Sequence, residues 1–374
     1  MTGFRERYFV SIQPGLESAL EEELADWGWA PRRDVGGVEV SGDRATLHHL
    51  HLWSRLASRV TVRVGAFQAK TLDELARRVR ALHWERYAQP RQPIQVRVTA
   101  HKSRLRHRET IARKVTLAIQ DALRGPRVSR GRPPREPLLV VLRIVEDRVV
   151  VSVDASGDGL HMRGWRREGG AAPLRENLAA GVLRMLGWTP GEPLVDLMCG
   201  SGTFPIEAAT IAQGCAPGAD RSFGFERWPS HERSAWDKSR RQAHRHREPC
   251  DRDQFWGQDR DAGAIERARA NSRRAGVKDA VQWQQSPIGE RGPPVEGSGL
   301  VVLNPPYGKR LAKGQASQVY GGIGRALRES WSGWRVGILV PRKPLLKELR
   351  LPVEPVTTFA HGGLRVTLVA GRIE

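Results

Sequence analysis

The first 70 residues alternate between short apolar stretches with period two and longer stretches with helical spacing. After Pro14 and Gly15, apolar residues repeat every three or four positions, as they do on the buried face of an amphipathic helix. The pattern predicts a strand over 4–12, a helix over 16–27, a strand over 38–40, a helix over 48–56 and a strand over 59–67. This order predicts a small α+β domain around one sheet.

The stretch from about residue 71 to 153 has the same mixture of periods. It predicts a helix over 72–82, a strand over 93–100, a helix over 109–123 and strands over 138–145 and 149–153. The first unit therefore has the β-α-β-α-β order of a ferredoxin-like domain, and a second α+β unit follows it. A cationic segment without an apolar face follows the strand over 93–100. We call its cations the basic stretch: Lys102, Arg104, Arg106, Arg108 and Arg113.

From about residue 191 the pattern changes to short apolar runs that alternate with helices. Such runs are typical of parallel strands covered on both faces. They predict strands over 194–196, 255–259, 280–285, 299–303 and 336–340, helices over 203–213 and 262–274, and a closing hairpin over 356–371. Residues 214–253 form a polar insertion in which we predict one charged helix over 231–248. The order predicts an α/β domain with a doubly wound, Rossmann-like sheet.

A glycine-rich turn follows the first of these parallel strands. Asp196 ends the strand, and Gly200 and Gly202 lie between it and the next helix. Glycines let the backbone approach a ligand closely, and the helix N-terminus offers free N–H groups to a carboxylate or a phosphate. The spacing is neither that of the dinucleotide fingerprint nor that of the P-loop. The turn predicts a ligand site at the C-terminal edge of the sheet.

A second motif stands at the end of the strand over 299–303. Asn304, Pro305, Pro306 and Tyr307 form a rigid loop at the edge where ligands bind in such sheets. The two motifs together resemble S-adenosylmethionine-dependent methyltransferases that modify exocyclic or amide nitrogens, whose signature is Asp/Asn-Pro-Pro-Tyr/Phe. The resemblance implies S-adenosylmethionine as the cofactor and these four residues as the catalytic loop.

The resemblance also implies which residues bind the cofactor. Asp259 ends the second strand of the α/β domain, where a carboxylate accepts both ribose hydroxyls, and Asp196 orients the glycine turn or meets the methionine ammonium. The family usually has an acidic residue near the adenine, whereas Ser286 stands at that position, so its hydroxyl or a backbone carbonyl would replace the acid. The predicted contacts are Asp196, Cys199, Gly200, Ser201, Gly202, Thr203, Asp259 and Ser286.

Three further stretches narrow the resemblance. Residues 71–153 resemble a THUMP domain, an RNA-binding module, in their order of elements and in the basic stretch. Residues 154–166 resemble a Ser-Gly-Asp-Gly-Leu-His-x-Arg-Gly-Tyr/Trp-Arg junction, and residues 172–180 resemble the helix before the cofactor strand. With the two site motifs, they make the chain similar to bacterial 23S ribosomal RNA guanine-N2 methyltransferases. In some bacteria that enzyme is the N-terminal half of a longer fusion, and we expect the second half to be absent here.

This resemblance implies a chemistry for the catalytic loop. The exocyclic amine of guanine is a poor nucleophile, because its lone pair is delocalised into the ring. We expect the Asn304 side-chain oxygen and the Pro305 carbonyl to accept the two amine hydrogens, and Tyr307 to stack on the base. Positioning and electrostatics then supply most of the catalysis, with no strong base. Cys199 is expected to be a packed residue rather than a nucleophile.

The charge of the chain indicates a polyanionic partner. Lys and Arg number 61 and Asp and Glu number 41, which gives a net charge of +20. Residues 51–150 hold 23 basic and 8 acidic residues, so three quarters of the excess lies upstream of the predicted site. The cysteines Cys199, Cys215 and Cys250 lack metal-ligand spacing. We therefore expect a polyanionic partner, which the resemblance implies is RNA, and we expect no metal, no membrane and a reducing cytoplasm as the location.

The sequence thus predicts three domains, of ferredoxin-like, THUMP-like and Rossmann-like methyltransferase type. Their predicted ranges are 1–66, 67–155 and 191–374, with a linker and leading helix over 156–190. The predicted function is N2-methylation of a specific guanine in 23S ribosomal RNA, and a tRNA guanine-N2 methyltransferase is the nearest alternative. An alternative from another functional class is a non-catalytic RNA-binding assembly factor. The intact Asn-Pro-Pro-Tyr loop that begins at Asn304 argues against this alternative. A DNA amino-methyltransferase is disfavoured by the RNA-type module.

Overall fold

The computed structural model describes residues 5–124, 134–167, 174–249, 254–306 and 315–374. Within these residues the strands form two seven-stranded sheets, one from the strands before residue 155 and one from the strands after residue 193. One buried apolar cluster extends from Tyr8 in the first sheet to Phe204 and Val302 around the second. The two sheets therefore share a continuous core.

The first sheet follows the predicted alternation of strands and helices. Its elements are β1 (Glu6–Ser11), α1 (Glu17–Ala25), β2 (Arg32–Asp34), β3 (Gly37–Gly42), α2 (Arg44–Trp53), β4 (Arg59–Gln68), α3 (Leu72–Arg80), a 3₁₀ turn (Trp84–Arg86), β5 (Ile94–His101), α4 (Arg108–Ala122), β6 (Leu138–Val145) and β7 (Arg148–Asp154). In β1, Tyr8 and Val10 are fully buried and the residues between them are not, as the period-two pattern requires. The side chain of Asp43 accepts the Thr46 N–H at 3.0 Å and so fixes the start of α2.

Strand β4 joins the ferredoxin-like and THUMP-like units. The order of strands is β2-β3-β1-β4-β7-β6-β5. On one edge β4 pairs antiparallel with β1, where Val62 lies opposite Tyr8, and on the other edge it pairs antiparallel with β7, where Val62 lies opposite Val153. Because one strand satisfies both edges, the two units form one hydrogen-bonded sheet.

The second sheet has the doubly wound order that the apolar runs predict. Its elements are α5 (Glu176–Met185), β8 (Leu194–Asp196), α6 (Thr203–Ala212), a 3₁₀ turn (Gly224–Arg227), α7 (Arg233–Arg245), β9 (Phe255–Asp259), α8 (Ala262–Arg274), β10 (Val281–Gln285), β11 (Leu300–Leu303), α9 (Gln315–Ser330), β12 (Arg335–Val340), α10 (Lys343–Leu349), β13 (Val353–His361) and β14 (Leu364–Arg372). The helices α9 and α10 lie in stretches for which the hydrophobic pattern gave no prediction.

The strand order places a crevice between β8 and β11. The order is β10-β9-β8-β11-β12-β14-β13, in which the first five strands are parallel and β14 is antiparallel to both of its neighbours. The chain winds outwards from β8 through β9 to β10 and then crosses to β11 on the other side of β8. Ligands of such sheets bind at the C-terminal edge where the winding reverses.

The polar insertion over 214–253 also contains aromatic side chains that are buried against the first sheet. Its helix, α7, matches the predicted charged helix, but Trp236 in that helix is 1% exposed and packs 5.1 Å from His48 of α2, between ring centroids. Trp228 packs against Tyr87 at 5.0 Å, and the Phe225 N–H donates to the Ala155 carbonyl at 2.9 Å. The insertion therefore packs the domain of the second sheet against the first sheet.

No helix in the described parts of the chain is long and apolar enough to cross a membrane. The same residues contain no cluster of three or more histidine, cysteine or carboxylate side chains arranged to hold a metal ion.

Candidate active site

The glycine turn after β8 depends on residues without a side chain. Gly200 and Gly202 have φ angles of 54° and 84°, in the left-handed region that favours glycine. A Cβ at Gly202 would collide with the ring of Trp283, whereas a Cβ at Gly200 would point into open space. Gly202 is the N-cap of α6, so the turn places the start of that helix at the edge of the sheet.

This edge of the sheet carries a cavity of about 260 Å³. It lies at the C-terminal ends of β8, β9 and β11, as the strand order requires. Its walls are Leu174, Asp196, Met198, Cys199, Gly200, Ser201, Thr203, Phe204, Asp259, Asp261, Ala264, Arg267 and Asn304. The structure thus brings together six of the eight predicted cofactor residues with Asn304 of the predicted catalytic loop, while Gly202 lies in the adjoining turn.

Two aspartates, Asp196 and Asp259, line this cavity at the ends of β8 and β9. Asp196 is 2% exposed, and burial raises its pKa well above the usual value, with a further contribution from the charge of Asp259. Its Oδ1 accepts the Met198 N–H at 3.1 Å. Asp259 is half-buried, and its two oxygens accept the N–H groups of Gly200 at 2.9 Å and of Asp261 at 3.0 Å. Asp259 therefore ties the glycine turn to the end of β9.

The chemistry of Cys199 is that of a packed thiol. Its side chain is 6% exposed, and burial raises its pKa well above the usual value, as do the charges of Asp196 and Asp259. The thiolate is the nucleophilic form of cysteine, and its formation is disfavoured here.

Asn304 presents an oxygen without a partner. It follows the last residue of β11, and its Oδ1 is buried with no hydrogen-bond partner among the described residues. An unsatisfied buried acceptor costs about 1–3 kcal/mol, and because Asn304 lines the cavity, a donor group of a ligand can reach its oxygen there. Pro305 is buried and Pro306 is half-buried beside it. The predicted catalytic residue Tyr307 lies outside the described residues.

Ser286 does not line the cavity, although it lies next to it. Its N–H donates to the Asp259 carbonyl at 3.0 Å, which continues the β9–β10 pairing. Its hydroxyl lies 3.2 Å from Oε2 of Glu290 and 3.4 Å from the Pro287 carbonyl. The role of Ser286 at the adenine stays a prediction, and Glu290 is the acidic group nearest to its hydroxyl in the structure.

Sequence reasoning missed a residue that supports the cavity from outside. The guanidinium of Arg166 donates to the Leu174 carbonyl at 2.9 Å and to Oγ1 of Thr203 at 2.7 Å, and it lies 3.2 Å from Glu176. Both Leu174 and Thr203 are wall residues. The junction motif at residues 154–166 signalled that this region matters, but the sequence does not show that its last arginine reaches α6.

The cations of the basic stretch lie on the first sheet, at the end of β5 and on α4, and none of them lines the cavity. All five are exposed. Between them, Ser103 and Leu105 point inwards, and the Ser103 hydroxyl donates to Oδ1 of Asp147 at 2.7 Å. Arg104 lies 4.0 Å from Oδ2 of the same aspartate. The alternation of inward and outward side chains over residues 102–106 turns Lys102, Arg104 and Arg106 towards solvent.

Comparisons with known families agree with this architecture. A family model for the RMKL-like methyltransferase domain matches residues 163–360, one for the RlmL ferredoxin-like domain matches residues 7–61, and one for the THUMP domain matches residues 69–154. The predicted fold class is therefore confirmed.

Individual proteins are similar over almost the whole chain. A candidate RNA methyltransferase, slr0064 from Synechocystis sp. (strain ATCC 27184 / PCC 6803 / Kazusa), is 32% identical over 97% of the chain and 95% of its own length. The ribosomal RNA large subunit methyltransferase K/L of Syntrophotalea carbinolica (strain DSM 2380 / NBRC 103641 / GraBd1) is 34% identical, and the chain spans about half its length, 53%. The crystal structure of SMU.472, a candidate methyltransferase complexed with SAH, superposes with a TM-score of 0.87 at 29% identity, over 100% of the chain and 99% of that protein.

Proposed function

We propose, because the chain belongs to the RMKL-like methyltransferase family, that it transfers the methyl group of S-adenosylmethionine to N2 of a specific guanine in 23S ribosomal RNA. The enzyme class is that of an S-adenosylmethionine-dependent methyltransferase with a THUMP domain. The observation that carries the proposal is the buried, unpartnered Oδ1 of Asn304 in the cavity of the glycine turn. The guanine amine would donate one of its two hydrogens to this oxygen.

The cavity suits the proposed cofactor. A carboxylate oxygen offers about two acceptor sites, so the Asp259 oxygens, which each accept one backbone N–H, retain sites for the two ribose hydroxyls. The open space beside Gly200 lets the backbone of the turn approach the cofactor closely. Asp196 and the turn residues Ser201 and Thr203 would hold the methionine part at the start of α6. The group held there supplies an electrophilic methyl on a sulfonium.

Asn304 and Pro305 would do the catalytic work on the acceptor. The Asn304 oxygen and the Pro305 carbonyl would accept the two hydrogens of the guanine amine, which directs the nitrogen lone pair towards the methyl group. Preorganised acceptors of this kind stabilise the positive charge that develops on the nitrogen. One of the two protons would pass to water after the nitrogen has become cationic, and the sulfonium would leave as a neutral thioether, so no strong base is required. We propose that Tyr307 completes this site by stacking on the base.

The proposed substrate follows from the family rather than from the cavity. Relatives named ribosomal RNA large subunit methyltransferase K/L are about 34% identical to the chain. The THUMP domain and the basic stretch supply the electrostatic surface that an RNA substrate requires. Such a substrate would place the reaction in the cytoplasm. The guanine must leave its helix to reach the cavity, as bases do in other enzymes that modify them.

The test is methyl transfer to defined RNAs by the purified chain. We expect N2-methylguanosine at one position of 23S ribosomal RNA, detected by mass mapping, and its absence in a strain that lacks the protein. The Asn304→Ala chain serves as the matched control, since it should bind S-adenosylmethionine but not transfer the methyl group at a comparable rate. Methylation of tRNA alone would establish the nearest alternative, and no methylation of either RNA would indicate a binding role.

A further inference from the structure

A second cavity lies beside the proposed methyl-transfer site. It measures about 640 Å³ and is formed by the junction over 154–166, the start of α5 and the insertion. We call it the junction pocket, and its characteristic residues are Asp158, His161, Met162, Arg166, Arg175 and Arg221. None of the predicted site residues lines it.

The junction pocket carries more positive than negative charge. Four arginines and two carboxylates line it, and one carboxylate, Glu176, is paired with Arg166 at 3.2 Å. The guanidinium of Arg221 donates hydrogen bonds to two backbone carbonyls, that of Leu160 at 3.0 Å and that of Asp158 at 3.3 Å. Arg175 is exposed, and its guanidinium has no hydrogen bond or ion pair within the described parts of the chain. These two guanidinium charges are not neutralised by a hydrogen-bonded carboxylate and suit an anion.

The remaining walls suit the other parts of a nucleotide. Burial first, and then the charges of Arg175 and the other nearby arginines, lower the pKa of His161 to about 4. His161 is therefore a neutral imidazole at pH 7, which offers one donor and one acceptor to a hydroxyl or a base edge. Met162 is 53% exposed, so its thioether presents an apolar, polarisable surface for a base.

The guanidinium of Arg166 links the walls of the junction pocket and of the methyl-transfer cavity by hydrogen bonds. This guanidinium lines the pocket and donates to Leu174 and Thr203, which line the cavity. Arg175 directly follows Leu174 in the chain and is the N-cap of α5. One strand of RNA could therefore occupy both sites with adjacent nucleotides.

We propose that the junction pocket binds the nucleotide that flanks the methylated guanine, with its phosphate on Arg175 and Arg221 and its base against Met162. The proposal rests on the proposed function, because it takes the occupant of the neighbouring cavity to be a guanine of RNA. Holding the backbone next to the extruded base offsets part of the cost of unstacking it. The basic stretch would capture RNA at the first sheet, whereas the junction pocket would set which nucleotide is placed at Asn304.

Arg175→Gln is the decisive variant, since this side chain has no described partner whose loss would disturb the fold. The matched control is Arg273→Gln, which removes an exposed arginine from the last turn of α8 that lines neither the junction pocket nor the methyl-transfer cavity. The probes are RNA oligonucleotides that wild-type protein methylates, each with one phosphate near the target replaced by a neutral methylphosphonate. The readouts are the Kd for each RNA, its salt dependence, the single-turnover rate and the Kd for S-adenosylmethionine.

We expect Arg175→Gln to weaken binding of the unmodified RNA roughly tenfold, the loss of one charge-assisted contact. We expect the slope of log Kd against log salt concentration to be shallower for this variant by about 0.7–0.9, which corresponds to the loss of one phosphate contact. One methylphosphonate should weaken wild-type binding more than it weakens binding by Arg175→Gln, which retains only Arg221 for that phosphate, whereas Arg273→Gln should behave as wild type. S-adenosylmethionine binding should not change.

Two outcomes would overturn this proposal and leave the proposed function intact. In one, wild-type protein methylates the RNA and Arg175→Gln binds and methylates it equally well. In the other, both proteins lose the same affinity at every methylphosphonate. Met162→Ala gives a second check, because it should reduce affinity without changing the salt dependence. Failure of wild-type protein to methylate any RNA would instead refute the proposed function.

Discussion

Replacing Asn304 by alanine should separate activity from stability. The Oδ1 of Asn304 is buried without a partner, so the free protein loses no hydrogen bond to that atom when the side chain is removed. Relief of an unsatisfied acceptor is worth about 1–3 kcal/mol, and loss of packing of a half-buried side chain opposes it. We therefore expect the free energy of unfolding to stay within about 1 kcal/mol of the wild-type value.

The same change should be severe for catalysis. Removal of one preorganised polar group typically lowers the chemical rate by about 10²–10³-fold, which corresponds to roughly 2.7–4 kcal/mol. The affinity for S-adenosylmethionine should change little, because the oxygen is assigned to the base. Single-turnover methyl transfer, calorimetry with the cofactor and chemical denaturation measure the three quantities independently.

Asn304→Asp is the matched control for this experiment. It retains an acceptor oxygen of the same shape and matches the other residue that the family signature allows at this position. We expect it to keep methyl transfer within about tenfold of wild type, the range that separates a retained from a lost contact. Full activity of Asn304→Ala, or equal loss in both variants, would refute the role assigned to the oxygen.

Three further predictions concern the cofactor, the RNA and pH. Asp259→Ala should weaken S-adenosylmethionine binding by about 1–3 kcal/mol, through loss of the ribose acceptors and of the bond that holds the Gly200 N–H; unchanged affinity in calorimetry would contradict this assignment. Neutralising the basic stretch should weaken RNA binding and make its salt dependence shallower, without affecting the cofactor; an unaltered slope would mean that these cations only contact solvent. Burial raises the pKa of Asp196, so the folded state retains a proton that the unfolded state releases from about pH 3.8 upward. The free energy of unfolding should therefore fall as the pH rises above this value. Asp196→Asn should remove this pH dependence, and denaturation curves that keep it would contradict the assignment to Asp196.

The parts of the fold that local periodicity controls could be predicted. The strands β5 and β9 and the helix α8 lie within one residue of their predicted bounds, because their apolar spacing and end residues are local signals. Asp261 directly precedes the helical pattern of α8, and its side chain caps that helix by accepting the Gly263 N–H at 2.9 Å. The meeting of Asp196, Asp259 and Asn304 at one cavity followed from the rule that ligands bind at the C-terminal edge of parallel strands.

The contacts that depend on assembly could not be predicted. Arg166 and Thr203 are 37 residues apart, and their hydrogen bond requires the junction to lie against α6. Trp236 reads as one apolar residue in a charged helix, and only the position of α2 shows that it is buried. Neither contact has a periodic signal in the sequence, since each depends on how separate units pack.

The sharing of β4 has a consequence for how the first half of the molecule can evolve and unfold. The family matches for the two units end at residue 61 and begin at residue 69, and β4 occupies the interval between them while pairing on both sides. Separating the units would expose the unpaired backbone N–H and C=O groups of an edge strand, and such edges promote aggregation. The two modules must therefore melt as one cooperative block, and their slowest amide protons should exchange together. A recombination event that replaced one of the two units alone would have to restore the pairing of β4 with β1 or with β7.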